Sequence, residues 1–204
     1  MQDVGIFDNQ GQEQDWDWLV ANFGDIRVER AEPTKGTGSV YRVAKLQDRS
    51  GPAVQVVNVV DDSDEPMGGI RVVRHWPSAP VLPDWPAPVS VWFTRGVFGK
   101  TNENGDIGFG MGQGDFYFAP TRGASSVWVA DEAGPSDLIQ GLGMIGGSDH
   151  RHLDVTYRLV TGEPSPPAPP ELPEQPPAPP PRNRWPKLVE KLDQVIALLE
   201  EHIE

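Results

Sequence analysis

Cysteine is absent from this 204-residue chain. Disulfides, thiolate nucleophiles and cysteine-type zinc sites are therefore excluded, and redox chemistry says nothing about the compartment. Basic residues are scarce: 17 Lys and Arg stand against 30 Asp and Glu, a formal net charge of −13. Nothing in such a balance could neutralise a row of phosphates, which argues against nucleic acid as a partner. Anionic lipid surfaces are disfavoured on the same ground. The plain consequence of the charge is solubility. Long apolar runs are missing too, and none approaches the roughly 18 residues of a membrane span, so no membrane association is expected. The opening stretch MQDVGIFDNQGQEQDW has neither a basic n-region nor an apolar h-region, so no secretory signal is read there. The compartment stays unknown. A cytoplasmic or phage-like chain fits, and so does a piece of a larger exported assembly, for which the extracellular space or a virion surface is favoured.

Proline and glycine, by contrast, are plentiful, with 22 of each. Eleven of the prolines fall within Pro164–Pro181, a stretch that cannot join a packed core. The expected division is a globular domain over 1–160, a proline-rich linker over 161–184 and a helix over 185–204. Each linker proline fixes φ and withholds a donor, which favours extended polyproline II. Eighteen residues at about 3.1 Å each make a spacer of roughly 55 Å.

Within the globular part the first element reads as a helix. Asp15 suits its N-cap, Trp16, Leu19, Val20 and Phe23 recur at helical spacing, and Gly24 suits the stop. Beyond it the pattern turns to short runs rich in β-branched and aromatic residues. They lie at 26–31, 40–46, 53–61, 69–76, 89–94, 106–111, 115–120, 126–131 and 152–160, and Gly, Pro, Asn or Asp clusters bound most of them. In the fourth run, alternation places Val72 and Arg74 on one face and Arg71, Val73 and His75 on the other. The expected fold is mainly β, an antiparallel β-sandwich with a short N-terminal helix. Gly134–Gly147 reads as a long glycine-rich loop.

One stretch carries a more specific pattern. Val56–Asp61 closes a strand, Glu65-Pro66-Met67-Gly68-Gly69 turns, and Ile70–Trp76 returns. Thr101–Phe109 and the aromatic Phe116-Tyr117-Phe118 follow in order. This order resembles the transthyretin-like domains, which include carboxypeptidase regulatory-like and Cna-B-type modules, over about Val54–Val129. The Pro/Trp insertion His75–Pro88 departs from that pattern. The resemblance implies a sandwich of the kind used in stalks, adhesins or glycan-associated modules, and no catalysis.

The last segment, KLVEKLDQVIALLEEHIE, is built of strong helix formers. Trp185, Leu188, Leu192, Val195, Leu199 and His202 step by threes and fours as a heptad seam, and Val189, Ile196 and Ile203 repeat beside it. Two adjoining seams widen the apolar face, so a homo-oligomer of three or more chains is expected. About 18 helical residues are marginal alone in water, which is a second reason to expect partner helices.

Catalytic signatures are missing: G-x-S-x-G, the P-loop, H-E-x-x-H and a dinucleotide fingerprint between strand and helix do not occur. No enzymatic activity and no cofactor are expected. Gly108, Gly110, Gly112 and Gly114 lead into a strand and clear one of its faces. Asn102, Asn104 and Asp106 place oxygens at alternate positions, but no Glu follows at calcium-loop spacing. Asn104-Gly105 by itself reads as a hairpin turn. His150, His152 and Asp154 share one strand face, a donor set that suits a metal. A polar strand start whose histidines bond loop backbone accounts for them without one, and no metal is expected. Aromatics carry the binding argument, with seven tryptophans. Trp92 and Trp128 sit in strand-like runs and read as core, while Trp85, between Asp84 and Pro86, reads as exposed. Rings cover the C–H faces of sugars while carboxylates and amides bond the hydroxyls. Trp76, Asp84, Trp85, Asp149, His150 and His152 are thus the expected ligand-binding residues, with a glycan as the candidate ligand. A ligand-free structural subunit of a fibre, tail or surface layer is the alternative.

Overall fold

The computed structural model describes residues 4–36, 38–76, 96–111, 123, 125–145 and 150–162. Among them are one short helix and twelve strands: β1 (Gly5–Phe7), β2 (Glu13–Gln14), α1 (Trp16–Phe23), β3 (Arg27–Glu29), β4 (Val40–Arg49), β5 (Val54–Val60), β6 (Arg71–His75), β7 (Val97–Lys100), β8 (Asp106–Gly110), β9 (Ser125–Val129), β10 (Leu138–Leu142), β11 (Met144–Ile145) and β12 (Arg151–Val160). The runs expected at 89–94 and 115–120, the linker and the C-terminal helix lie outside the described residues.

The helix follows its end signals. The Asp15 carboxylate accepts the Trp18 N–H at 2.7 Å, satisfying a donor that the first turn leaves open. Gly24 takes φ of 76° and donates its N–H to the Val20 carbonyl at 2.9 Å. Leu19 and Phe23 are buried, but Val20 is 42% exposed. In a helix of eight residues the core stripe narrows to positions 16, 19 and 23, and Val20 falls off it.

The strands form two sheets. One runs β2-β1-β4-β12-β5-β8, with β11 added on β12, and the other runs β3-β10-β9-β6-β7. Most pairings are antiparallel, yet β1 with β4 and β5 with β12 are parallel, so the purely antiparallel expectation is corrected. The cause is the last strand. β12 seats itself between β4 and β5, antiparallel to the first over nine residue pairs and parallel to the second over four. Parallel neighbours need a long connection, and almost a hundred residues separate β5 from β12.

Alternation decides which side chains face inward. Leu153, Val155 and Tyr157 of β12, Val57 and Val59 of β5, Val72 of β6, Val127 and Val129 of β9 and Ile139 of β10 join one buried cluster. Both sheets thus contribute to a single core, with Leu19 and Phe23 of α1 packed into it. Two bulges keep the pattern in phase. Thr156 faces Lys45 but Tyr157 faces Val43, so Ala44 is the extra residue that lets Tyr41, Val43 and Leu46 all point inward. Gly141, at φ of 83°, does the same between Gln140 and Leu142. The expected loop over 134–147 is corrected as far as it is described: β10 and β11 take up residues 138–142 and 144–145. Trp128, with Val73, Ala130 and Leu138, forms a second small cluster on the other face of the five-stranded sheet.

Buried charge ties the sheets together. Asp137, fully buried, accepts from Arg30 at 2.6 Å and Arg42 at 2.8 Å. It also takes the backbone N–H groups of Ala31 at 2.9 Å and Val43 at 3.0 Å. One carboxylate thereby fixes the start of β10, the residues after β3 and the middle of β4. Burial of a charge is tolerated only with such pairing.

Candidate functional site

Strand direction sorts the connections between two ends of the sheets. At the first end β6 finishes and β7 begins, with Arg74 opposite Val97. β8 finishes opposite the start of β5, Gly110 against Val54. β9 begins opposite the end of β10, Ser125 against Leu142. β11 closes onto the start of β12, Ile145 against Arg151, and His152 faces Arg49 at the end of β4. This is the loop end. The opposite, or turn, end holds the connections 61–70, 101–105 and 130–137, and there β12 runs out to Thr161.

Arg74 links the sheets at the loop end. It lies in phase with Val72 on the inward face of β6 and is 1% exposed. Its guanidinium donates to Ser125 Oγ at 2.9 Å in its own sheet and to the Gly110 carbonyl at 3.3 Å in the other. The guanidinium carbon stands 5.4 Å from the centre of the Trp76 ring, within reach of a cation–π attraction. Trp76 itself is half-buried.

The start of β12 is the second polar centre. Arg151 donates to the fully buried Asp48 with Nη2–Oδ2 of 2.6 Å and Nε–Oδ1 of 3.1 Å. Its guanidinium also lies 5.0 Å from the Phe23 ring centre, bringing α1 against the sheet. His152 is 3% exposed. Its Nδ1 is 2.8 Å from the His150 carbonyl and its Nε2 3.5 Å from Asp154 Oδ1. Asp154 Oδ1 also accepts the Val56 N–H at 2.9 Å, and Oδ2 faces Arg49 Nε at 3.4 Å. Burial works against a charge on the His152 ring. The bonds to Asp154 and the His150 carbonyl, with the negative fields of Asp154 and Asp48, outweigh it, and the pKa lies above the ordinary histidine value.

The expected ligand-binding residues therefore divide. Trp76, His150 and His152 all belong to the loop end, His150 half-buried and in the left-handed region at φ of 39°. Asp84, Trp85 and Asp149 lie outside the described residues, in connections that leave from that same end. His152 is not a surface group: its place beneath His150, with both nitrogens turned to internal acceptors, makes it a support for the end. Among the described residues no three His, Asp or Glu side chains gather as a metal site. The helix residues Leu188, Val189, Leu192, Val195, Ile196, Leu199 and Ile203 lie outside the described residues. Alternation put Arg74 on the face of Val72, and the structure shows that this face is the buried one. Asp48 and Arg151 sit 103 residues apart and no local pattern announces their pairing.

The turn end is built differently. Asn104-Gly105 does turn the chain, but it carries it from β7 in one sheet to β8 in the other, so it is not the hairpin expected. Asn102 Oδ1 accepts the N–H groups of Asn104 at 2.8 Å and Asp106 at 3.2 Å, which spends its oxygen within the turn. Thr101 Oγ1 accepts from Ile70 N–H at 3.0 Å and donates to the Met67 carbonyl at 2.6 Å. Thr161 donates its N–H at 3.1 Å and its hydroxyl at 2.8 Å to Asp62 Oδ2, and Arg158 pairs with Asp64.

Comparison with protein-family models, with curated proteins and with solved structures finds no match to this chain. Among the described residues no helix is long and apolar enough to cross a membrane.

Proposed function

We propose that this chain is a non-catalytic carbohydrate-binding or adhesion module, displayed in several copies through its C-terminal helix. One observation carries the reading: Trp76 and His150 lie at one end of the sheets, the end at which the strands flanking residues 77–95 and 146–149 stop and start, whereas β12 runs out at the other. Connections gathered at one end of a rigid framework are where sheet proteins place recognition. Weak sites on a shared stem then gain apparent affinity without new contacts. The finer fold reading, a β-sandwich of transthyretin-like type, belongs to the same proposal and is supported by two sheets that share one core.

A glycan and polysaccharide screen of the full chain beside its Trp85→Ala variant tests the reading. Retention on at least one polysaccharide that Trp85→Ala weakens supports it. Unchanged retention removes Trp85 from the site. No retention at all moves the chain to a structural subunit of a fibre, tail or surface layer. Sedimentation as a monomer at about micromolar concentration would overturn the multivalent part.

A further inference from the structure

We infer that His152 is a proton-operated latch, fixing the start of β12 and its pairing with β11 while the imidazole is charged and loosening both as the charge is lost. The inference rests on described strands alone and holds whether or not the loop end binds a sugar.

The geometry specifies the charged ring. A backbone carbonyl faces Nδ1 at 2.8 Å and a carboxylate oxygen faces Nε2 at 3.5 Å. Both are acceptors, and only an imidazolium offers two N–H donors. A neutral ring holds one partner and turns a lone pair toward the other. The His150 carbonyl belongs to a residue at φ of 39°, a conformation that non-glycine residues adopt sparingly, so this arm holds a reluctant piece of backbone. The other arm reaches Asp154, which the Val56 N–H and Arg49 already position. Nearby, β11 is held to β12 by only two residue pairs, Met144 with His152 and Ile145 with Arg151. Like β2 on β1, it has few bonds to lose.

The charged surroundings are mixed. On its own strand His152 meets His150, Arg151 and Asp154. Beside it β4 brings Arg49 and the buried Asp48, while β5 and β11 contain no titratable residue. Arg49 is drawn onto Asp154 and Arg151 onto Asp48, so Asp154 is shared between a cation and the ring, while Asp48 acts on the ring only through its field. The folded pKa stands above the unfolded value, which is about 6.5. The latch therefore contributes fully below that unfolded value, and its contribution is lost as pH rises through the folded one.

Proton NMR of the full chain, following the His152 ring from about pH 5 to about pH 9 alongside amide exchange, tests this. The ring should titrate above the ordinary value. With the same midpoint, amide protection at residues 144, 145, 151 and 152, corrected for intrinsic exchange, should fall about tenfold. The remainder of β12 from Leu153 to Val160 should not respond. Asp154→Asn should lower the midpoint and His152→Gln should remove the step. Titration of the wild-type ring at or below the ordinary value overturns the latch. So does a raised midpoint that leaves protection flat, and these wild-type readings suffice if either variant fails to fold.

Discussion

The two ends of the sheets solve the same problem with different means. At the turn end, short side chains bond backbone directly: Thr101 ties its own turn to the connection 61–70, Asp62 ties down Thr161, and Asp137 gathers two N–H groups, with Arg30 and Arg42 on the same carboxylate. At the loop end the ties are long side chains reaching across, namely Arg74, Arg151 and His152. Short, directional bonds make a connection part of the framework. Long side chains instead pin strand ends across the gap between elements. The proposed recognition role would use the end that long side chains hold.

The contrast can be broken most severely at Asp137. Asp137→Ala strands two arginines and two buried N–H groups, and a loss of about 3–5 kcal/mol is expected in urea denaturation, enough to unfold a domain of ordinary stability. The counterpart at the loop end is milder. Asp48→Asn keeps the shape but removes the charge from the Arg151 pair, and about 2 kcal/mol is expected by the same measurement. Two glycines sharpen the comparison further. Gly105 sits at φ of 74°, and a Cβ there would meet the Val59 carbonyl oxygen at 2.6 Å. Gly105→Ala should cost about 1–2 kcal/mol or more by thermal denaturation. Gly110, at the loop end, has no described residue within 4 Å of where a Cβ would stand. Gly110→Ala should shift stability by less than about 0.5 kcal/mol, and a larger loss would show that this end is as tightly built as the other.

How much of this was legible depended on how locally it was encoded. β4, β5, β6, β9 and β12 announce themselves by β-branched alternation, and α1 by Asp15 and Gly24, because each signal lies within a few residues of what it controls. β1, β2 and β11 are two or three residues long, too short for a period to register. β10 was hidden by Gly141, which reads as loop chemistry but serves as a bulge between Ile139 and Leu142. The seat of β12 between β4 and β5 could not be read at all, since register between distant strands is settled by the whole core. The same holds for the site. Aromatic and histidine residues were visible as types, while the fact that Trp76 and His150 share one end follows only from strand direction. Asp137, inside a stretch that looks like loop, gave no sign of being the most heavily bonded carboxylate among the described residues.

The seating of β12 also has a mechanical consequence. Tension entering through the C-terminal tail would meet this strand along its own axis at Val160, with nine residue pairs on one flank and four on the other. Those bonds lie across the pull, so they must slide together and cannot be peeled one by one. A chain drawn from its tail should therefore yield abruptly and at high force. Single-molecule stretching that showed gradual, low-force extension of 150–162 would contradict this. On the proposed adhesion reading, a head held at its loop end and tugged from its tail would be loaded in shear along β12.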